Sequence, residues 1–493
     1  MQKVHTHTKL LIILIGIALL SANFSYAQNN KLVLISPHQE GIRTEFENAF
    51  IEWYQGEGPV FVTSTGDKYH KADCHYLEKS AIRMTRKEAI AKGYTPCSVC
   101  QQVKLEWLDV GGGTSTIFRR IQSDFQRSPG GINIDLIFGG GTSIFLPLLE
   151  EGLLQPYKLP DEQLAKIPEE LLGNRLYDAQ YHWYGTAISA FGIMYNEMLR
   201  KRLKLPEVRT WTDLLNPKLQ NRVGAADPRE SGTAHMMYDL ILQGHGWEEG
   251  FRILFEMAGN VKTFPAAASQ IPQDVATGRV IYGFAIDFYA YQQIAAVGAD
   301  KLGYVLPPDT AVFTPDSIAI LKGAPNLKLA QKFVEFVLSQ EGQKLWMLKK
   351  GEPDGPKQFN LNRGSVLPEL YEKLGKRSSV PVNPFQFKSN FKYDFQKGGD
   401  LWTILNDLVG ALIIDPHKEL IAAWEAINAS KNSKNKEAAL KEFNKIPLSE
   451  QEALELAKGK WNEDTVLRNQ KKVEWSNFAR EKYRRAKELA RGQ

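Results

Sequence analysis

Cysteine is nearly absent. The three cysteines of the 493-residue chain fall together at Cys74, Cys97 and Cys100, and none precedes Cys74, which closes the lipid-anchored lipoprotein route. Long apolar runs are missing beyond the N-terminus: no segment after Leu20 is apolar for long enough to cross a bilayer. Charge of one sign is scarce as well. The net charge is +5, and no basic and aromatic residues are interleaved, so composition gives no argument for a nucleic-acid partner. What remains is an ordinary soluble globular composition, 43% hydrophobic and 24% charged, on a length that suggests about two or three domains.

The N-terminus reads as an export signal. Lys3 and Lys9 precede the apolar run Leu10 to Leu20, and Ser25-Tyr26-Ala27 supplies a small-x-small cleavage site. Residues 1–27 are therefore expected to be removed, leaving a soluble monomer outside the cytoplasmic membrane, most simply in a bacterial periplasm.

One stretch occurs twice. Gly111-Gly112-Gly113-Thr114-Ser115 returns as Gly139-Gly140-Gly141-Thr142-Ser143. Each copy follows a strand-like run (Val103 to Trp107; Ile132 to Phe138). Each opens a helix-like one, with Ile117, Ile121 and Phe125 after the first copy and Phe145, Leu148 and Leu149 after the second. Strand, glycine turn, hydroxyl residues and helix together aim backbone N–H groups out of a helix N-terminus, where anions are attracted and a ligand can approach the backbone closely. Taken singly, each copy is also what a tight turn with a capping hydroxyl looks like. Glu230-Ser231-Gly232-Thr233 opens a third such helix further along. Gly113, Thr114, Ser115, Gly141, Thr142, Ser231, Gly232 and Thr233 are the candidate anion-binding positions.

Other candidates lie beside these corners. Lys31 to Ile35 reads as a first strand, and Ser36-Pro37-His38-Gln39 as a helix start with Ser36 as cap, so His38 falls on the same sheet edge as the glycine turns. Gly278 to Tyr289 reads as a buried strand ending in Asp287 and Tyr289, candidates for ligand contact or for a helix cap. Tyr184 to Asn196 is long and apolar enough to cross between lobes, and Asp316 to Leu321 looks like the strand that returns. Beyond it the chain is helical and polar, with a loop expected over Lys431 to Lys436.

Residues 59–102 break the pattern and hold His70-x3-Cys74 and Cys97-x2-Cys100. That is the Cys3His ligand class of a closed tetrahedral zinc site, so His70, Cys74, Cys97 and Cys100 are the candidate metal ligands and zinc the expected structural cofactor. A disulfide is the alternative in an oxidising compartment. It leaves one cysteine over and His70 without a role. The stretch resembles the Ada-type zinc-binding module, through Thr65-Gly66-Asp67-Lys68-Tyr69-His70, Cys74-His75-Tyr76-Leu77 and Gly93-Tyr94-Thr95-Pro96-Cys97-Ser98-Val99-Cys100. The resemblance implies that those four side chains hold the metal. Removing the module joins Tyr54-Gln55-Gly56-Glu57-Gly58 to Val103-Lys104-Leu105 coherently, which makes it an insertion into a loop.

The rest of the chain resembles the extracellular solute-binding proteins of ABC importers, the type II periplasmic kind that includes ferric-ion binders. The resemblance rests on Ser36-Pro37-His38, Asp109-Val110-Gly111-Gly112-Gly113-Thr114-Ser115, Phe138-Gly139-Gly140-Gly141, Asp227-Pro228-x-x-Ser231-Gly232-Thr233 and Ala285-Ile286-Asp287-Phe288-Tyr289. It implies an α/β fold of two lobes joined by crossover strands, with ligand in the cleft and a membrane permease as partner. The expected division is 28–58 and 103–190 for lobe 1, 59–102 for the zinc insertion, 191–316 for lobe 2, and 317–493 for a return to lobe 1 and a helical C-terminal region. Ferric binders of the family use a His near the first helix and two adjacent tyrosines. His38 and Tyr289 fit, but Ala290 follows and Tyr291 stands one step further, so the pair is broken. The expected function is capture of a small anionic solute, phosphorylated or carboxylated, for import. Ferric iron is the alternative ligand, and a zinc-dependent hydrolase the alternative of another class; four protein ligands leave that zinc no open position.

Overall fold

The computed structural model describes residues 31–56, 59–72, 74–77, 80–98, 100 and 103–492. The expected export signal lies outside them. Among the described residues no helix is long and apolar enough to cross a membrane.

A ten-stranded mixed sheet runs through both lobes. In the first lobe, Lys31–Ile35 pairs in parallel with Lys104–Leu108 on one side and Leu136–Gly141 on the other. Helices follow each of these strands: Glu40–Gly56, Thr114–Arg127 and Thr142–Glu150. The helix Glu40–Gly56 buries Ile42, Phe46 and Phe50, and Thr114–Arg127 buries Ile117, Ile121 and Phe125, so the apolar spacing read from the sequence faces the sheet. In parallel strand–helix units, ligands gather at the carboxyl ends of the strands. Here that edge carries His38, Gly111 to Thr114 and Gly139 to Thr142.

Two long antiparallel strands join the lobes. Tyr184–Asn196 pairs with Phe313–Leu321 up to Ala190, opposite Phe313; from Phe191 it pairs with Tyr282–Ile286 instead. The return strand Phe313–Leu321 then pairs with Leu136–Gly141. One strand leaves the first lobe, the other comes back, and both are buried except for the half-buried Tyr195. In the second lobe Val223–Gly224 and Val261–Thr263 extend the sheet, and the helix Gly232–His245 packs beneath it.

The C-terminal helices do not stay with the first lobe. Leu329 to Leu374 share its core with Phe46, Phe138 and Trp346, and Phe385 and Phe387 pack on that core. Phe391 and Tyr393 already belong to the other side, and the helices Trp402–Val409, His417–Ala429, Ser433–Phe443 and Thr465–Arg491 build one core with Trp211, Tyr238 and Phe255 of the second lobe. The chain therefore crosses a third time near residue 390. The loop expected over Lys431 to Lys436 is partly helix: Asn432 caps Ser433–Phe443 by accepting from the amides of Lys434 and Asn435, a strong local start signal.

Residues 60–96 include a separate four-stranded sheet. It hangs between Gly56, the C-terminal end of a 17-residue helix, and Lys104, the first residue of a strand. Both attachment points lie at the sheet end opposite the cleft edge, about 25 Å away by helix length. Its ties to the first lobe include two among the described residues: Arg86 donates to Gln55 Oε1 at 3.2 Å, and the Lys71 ammonium stands 3.2 Å from the Tyr54 ring centroid. Replacing residues 59–102 by a short glycine-serine linker is therefore expected to leave the cooperative melt of the remainder within a few degrees, read by far-UV circular dichroism. Loss of the cooperative transition would show that the small sheet is part of the lobe's core.

Candidate functional site

The two lobes meet around one cavity, with about 680 Å³ of empty space when its mouth is included. First-lobe residues His38, Thr114, Gly140 and Gly141 line it opposite Gly232, Thr233, Phe288 and Tyr289 of the second. Ser189 and Asp316 come from the crossover strands, and Arg363 from the loop after the return helices.

Backbone conformation sets much of this surface. Gly139 and Gly140 both have φ near +105°, which L side chains rarely adopt. A Cβ at Gly139 would stand 2.7 Å from the His38 ring, and one at Gly140 would stand 2.9 Å from Thr114 Cγ2. The second glycine turn is thus a floor on which His38 and Thr114 rest. Across the cleft, a Cβ at Gly113 would lie 3.0 Å from the Glu230 carbonyl oxygen, and one at Gly232 would lie 3.2 Å from Thr114 Cβ. The lobes are closed, with helix starts from each side in contact. The helices Thr114–Arg127 and Thr142–Glu150 have glycine N-caps and no side-chain cap bond. Their first-turn amides keep their donor capacity. Gly232–His245 is capped by Ser231, which accepts from the Ala234 amide.

A charged group of three sits at the cavity's inner end. Arg363 is ion-paired with Asp316, and Asp316 also accepts from the Gly140 amide. His38 Nε2 lies 2.9 Å from Asp316 Oδ2 and 3.1 Å from Arg363 Nη1. Burial pushes the His38 imidazole down, against the raising effect of Asp316. For Asp316 burial acts upward, but the Arg363 charge and the hydrogen bonds from His38 and Arg363 outweigh it and hold the carboxyl well below the usual range. The Arg363 guanidinium also lies 3.9 Å from the Phe288 ring centroid, a cation–π contact that reaches the opposite lobe. Asn362, at φ +55°, and the backbone bridge between Gly364 and Ile188 hold the loop that carries it. Arg363 Nε, Ser189 Oγ and His38 Nδ1 are buried with no hydrogen-bond partner, each a cost that a polar guest can relieve.

The expected residues divide. His38, Thr114, Gly141, Gly232, Thr233 and Tyr289 line the cavity. Gly113 and Ser231 stand at the interlobe contact behind it. Ser115 faces away, into a second crevice with Phe118 and Arg229, because neighbouring helical residues project about 100° apart. Thr142 is buried beneath the floor with its hydroxyl unpaired. Asp287 does not reach the cavity either. Its Oδ1 accepts from the Phe288 amide at 2.7 Å, and burial pushes its carboxyl up to about 7 against the lowering effect of Arg363 and backbone donors. Ser36 does not cap the first helix, which starts at Glu40; its hydroxyl accepts from the His38 amide at 3.1 Å instead. Asp316, Arg363, Ser189 and Trp402 carried no sequence signal beyond polarity or bulk.

At the far pole, His70, Cys74, Cys97 and Cys100 stand together with ligand atoms within 4.8 Å of one another. None of the three cysteines is in a disulfide. Such a cluster can hold a metal ion: thiolates about 2.3 Å from a tetrahedral ion are about 3.8 Å apart.

Residues 133–363 match the family model described as bacterial extracellular solute-binding protein. The phosphoglycerate transport regulatory protein PgtC of Salmonella typhimurium is 25% identical over 332 residues, 66% of this chain and 80% of that protein. Among solved structures, the periplasmic binding protein AfuA from Actinobacillus pleuropneumoniae, with exogenous fructose-6-phosphate bound, aligns over 80% of this chain and 97% of its own. The TM-score is 0.53 at 19% identity. The apo ferric ion-binding protein A of Pasteurella haemolytica aligns over 79% of this chain and 98% of its own, with TM-score 0.52 at 13% identity. The fold is that of the periplasmic binding proteins, with a helical C-terminal region. The similarity over residues 133–363 is to solute-binding proteins, and the relatives named here are binding and transport proteins rather than enzymes.

The buried Asp287 gives a signed prediction. Its folded-state pKa lies above the unfolded one, so it binds a proton more tightly folded than unfolded, and stability declines as pH rises from about 4 to about 7. Asp287→Asn should therefore melt several degrees higher than wild type at pH 8, with the gap closing by pH 4, in calorimetric scans. An equal difference at both pH values would mean that Asp287 is charged in the fold.

Proposed function

We propose that this protein is a receptor that captures a small anionic solute, phosphorylated or carboxylated, in the interlobe cavity and presents it to an ABC permease in the inner membrane. The observation that carries this reading is the convergence of uncapped helix N-termini of the first lobe with a helix start of the second on one closed cavity. Two positive dipole ends brought into contact repel unless negative charge lies between them. Thr114 and Thr233 would add hydroxyl donors, Arg363 and Ser189 their unpaired ones, and Tyr289 its phenol. The names of two relatives point the same way, since PgtC is a phosphoglycerate transport regulatory protein and AfuA carries a sugar phosphate. In this reading the lobes divide where Tyr184–Asn196 changes partners, and hinge there.

Ferric iron is the second reading, favoured by His38, Asp316 and Tyr289 around one cavity and by the ferric ion-binding relative in fold. Against it, the Arg363 cation is paired to Asp316 in the middle of that ligand set. Tyr291 turns to Tyr304, 5.5 Å between ring centroids, and does not line the cavity. Burial also pushes the Tyr289 phenol up to about 12, against the lowering effect of Arg363.

We also propose zinc as the ion of the His70, Cys74, Cys97 and Cys100 cluster, in a structural role. Four protein ligands leave no position for substrate, and the cleft is a helix length away.

Two measurements follow. Melting scans with phosphate esters, carboxylates and ferric salts should show stabilisation by a phosphorylated or carboxylated solute, lost on Arg363→Gln with an affinity drop of roughly 10- to 100-fold, the scale of a charge-assisted hydrogen bond. A shift with ferric salts alone would replace the anion by iron. Separately, Cys97→Ser should lower the zinc content measured by atomic emission from one per chain to none and leave solute affinity within about twofold. Loss of solute binding with the metal would place the cluster in the binding mechanism.

A further inference from the structure

The C-terminal helices reach back to the cleft at one side chain. Trp402 begins the helix Trp402–Val409, which packs with the second lobe, yet its indole belongs to a core cluster of the first lobe with Ile117, Ile144 and Phe145. Its ring lies 3.8 Å, centroid to centroid, from His235 of the second lobe. A Cβ at Gly232 would stand 3.3 Å from Trp402 Cη2. Burial lowers His235 to about 4, its Asn406 hydrogen bond acting the other way, so this stacking partner is neutral at any ordinary pH. Trp402 also lines two spaces at once, the cavity of His38 and Arg363 on one side and the crevice of Ser115 and Arg229 on the other.

We propose that Trp402 is the clasp of the closed state and the end wall of the solute cavity. Closing the lobes slots the indole of one lobe into the apolar cluster of the other, which removes a large apolar surface from water. The same ring divides the interlobe space into two chambers and so limits the size of the group attached to the anion. That group is small and of mixed character, because the chamber on the near side is bounded by Ser189, Thr233 and Tyr289 together with the apolar Phe191, Met236 and Phe288. The size limit rests on the anion reading; the clasp does not.

The test uses full-length protein with Trp402→Ala and Trp402→Phe. Calorimetric titration runs through a ladder of monophosphates: inorganic phosphate, glycerol phosphate, a hexose phosphate and a nucleoside monophosphate. Wild type is expected to bind up to a size limit. Trp402→Ala should move that limit to a larger member and lose about tenfold on the largest solute that wild type accepts, with Trp402→Phe between the two. An unchanged limit with affinities within about twofold overturns the wall. Small-angle scattering of the ligand-free proteins checks the clasp without any solute. Trp402→Ala should show a larger radius of gyration than wild type, and superimposable curves overturn it. If wild type binds no phosphate but responds to ferric ion, the anion reading and with it the size limit fall, while the scattering comparison still decides the clasp.

Discussion

Helix N-termini that face each other repel, and this fold brings them into contact from opposite lobes. The lack of side chains at Gly113 and at Gly232 favours this close approach, since a Cβ at either would make a tight contact across the cleft. The buried Arg363–Asp316 pair adds little net charge, since each neutralises the other. What remains unbalanced in the cavity is the partial positive charge of backbone amides, together with donors on Arg363 and Ser189 that have no partner. Removing water from such a site strengthens each of these interactions. On the proposed reading, the arrangement selects for a guest that is negative at one end and small.

The rest of the architecture serves that closure. Two crossover strands and a third connection near residue 390 tie the lobes together. The C-terminal helices, nominally an appendage, complete the second lobe's core and return Trp402 to the interlobe contact. Arg363 does the equivalent from the first lobe by stacking on Phe288. The Cys3His cluster stands apart from all of this, at the opposite end of the helix Glu40–Gly56. It lies beside a small sheet whose core includes Val60, Val62, Tyr69 and Ala89.

Much of this was legible because the signals were local. The doubled glycine-hydroxyl turn, the crossing strand Tyr184–Asn196 and the quartet of His70, Cys74, Cys97 and Cys100 each declare themselves within a dozen residues or through ligand spacing. The failures are equally physical. Thr114 and Ser115 are neighbours of the same chemical type, and which one meets the cavity depends on helix phase at a terminus, where boundaries are least certain. Asp287 looked like a ligand residue because it ends a buried strand, but its carboxyl turns to backbone amides. Ser36 had the composition of a cap, yet the turn over 36–39 is used to place His38. Arg363 and Trp402 are brought to the cleft only by tertiary packing, from 325 and 364 positions after His38, and no pattern in the chain marks them.

The central claim concerns amides, so the most direct measurement reads amides. Hydrogen–deuterium exchange, followed by mass spectrometry with and without the best-binding phosphate ester or carboxylate, should show slowed exchange together in peptides covering 113–116, 140–143 and 231–234. Slowing confined to one lobe, or confined to Tyr289 and its neighbours with ferric ion as the only effective ligand, would contradict it.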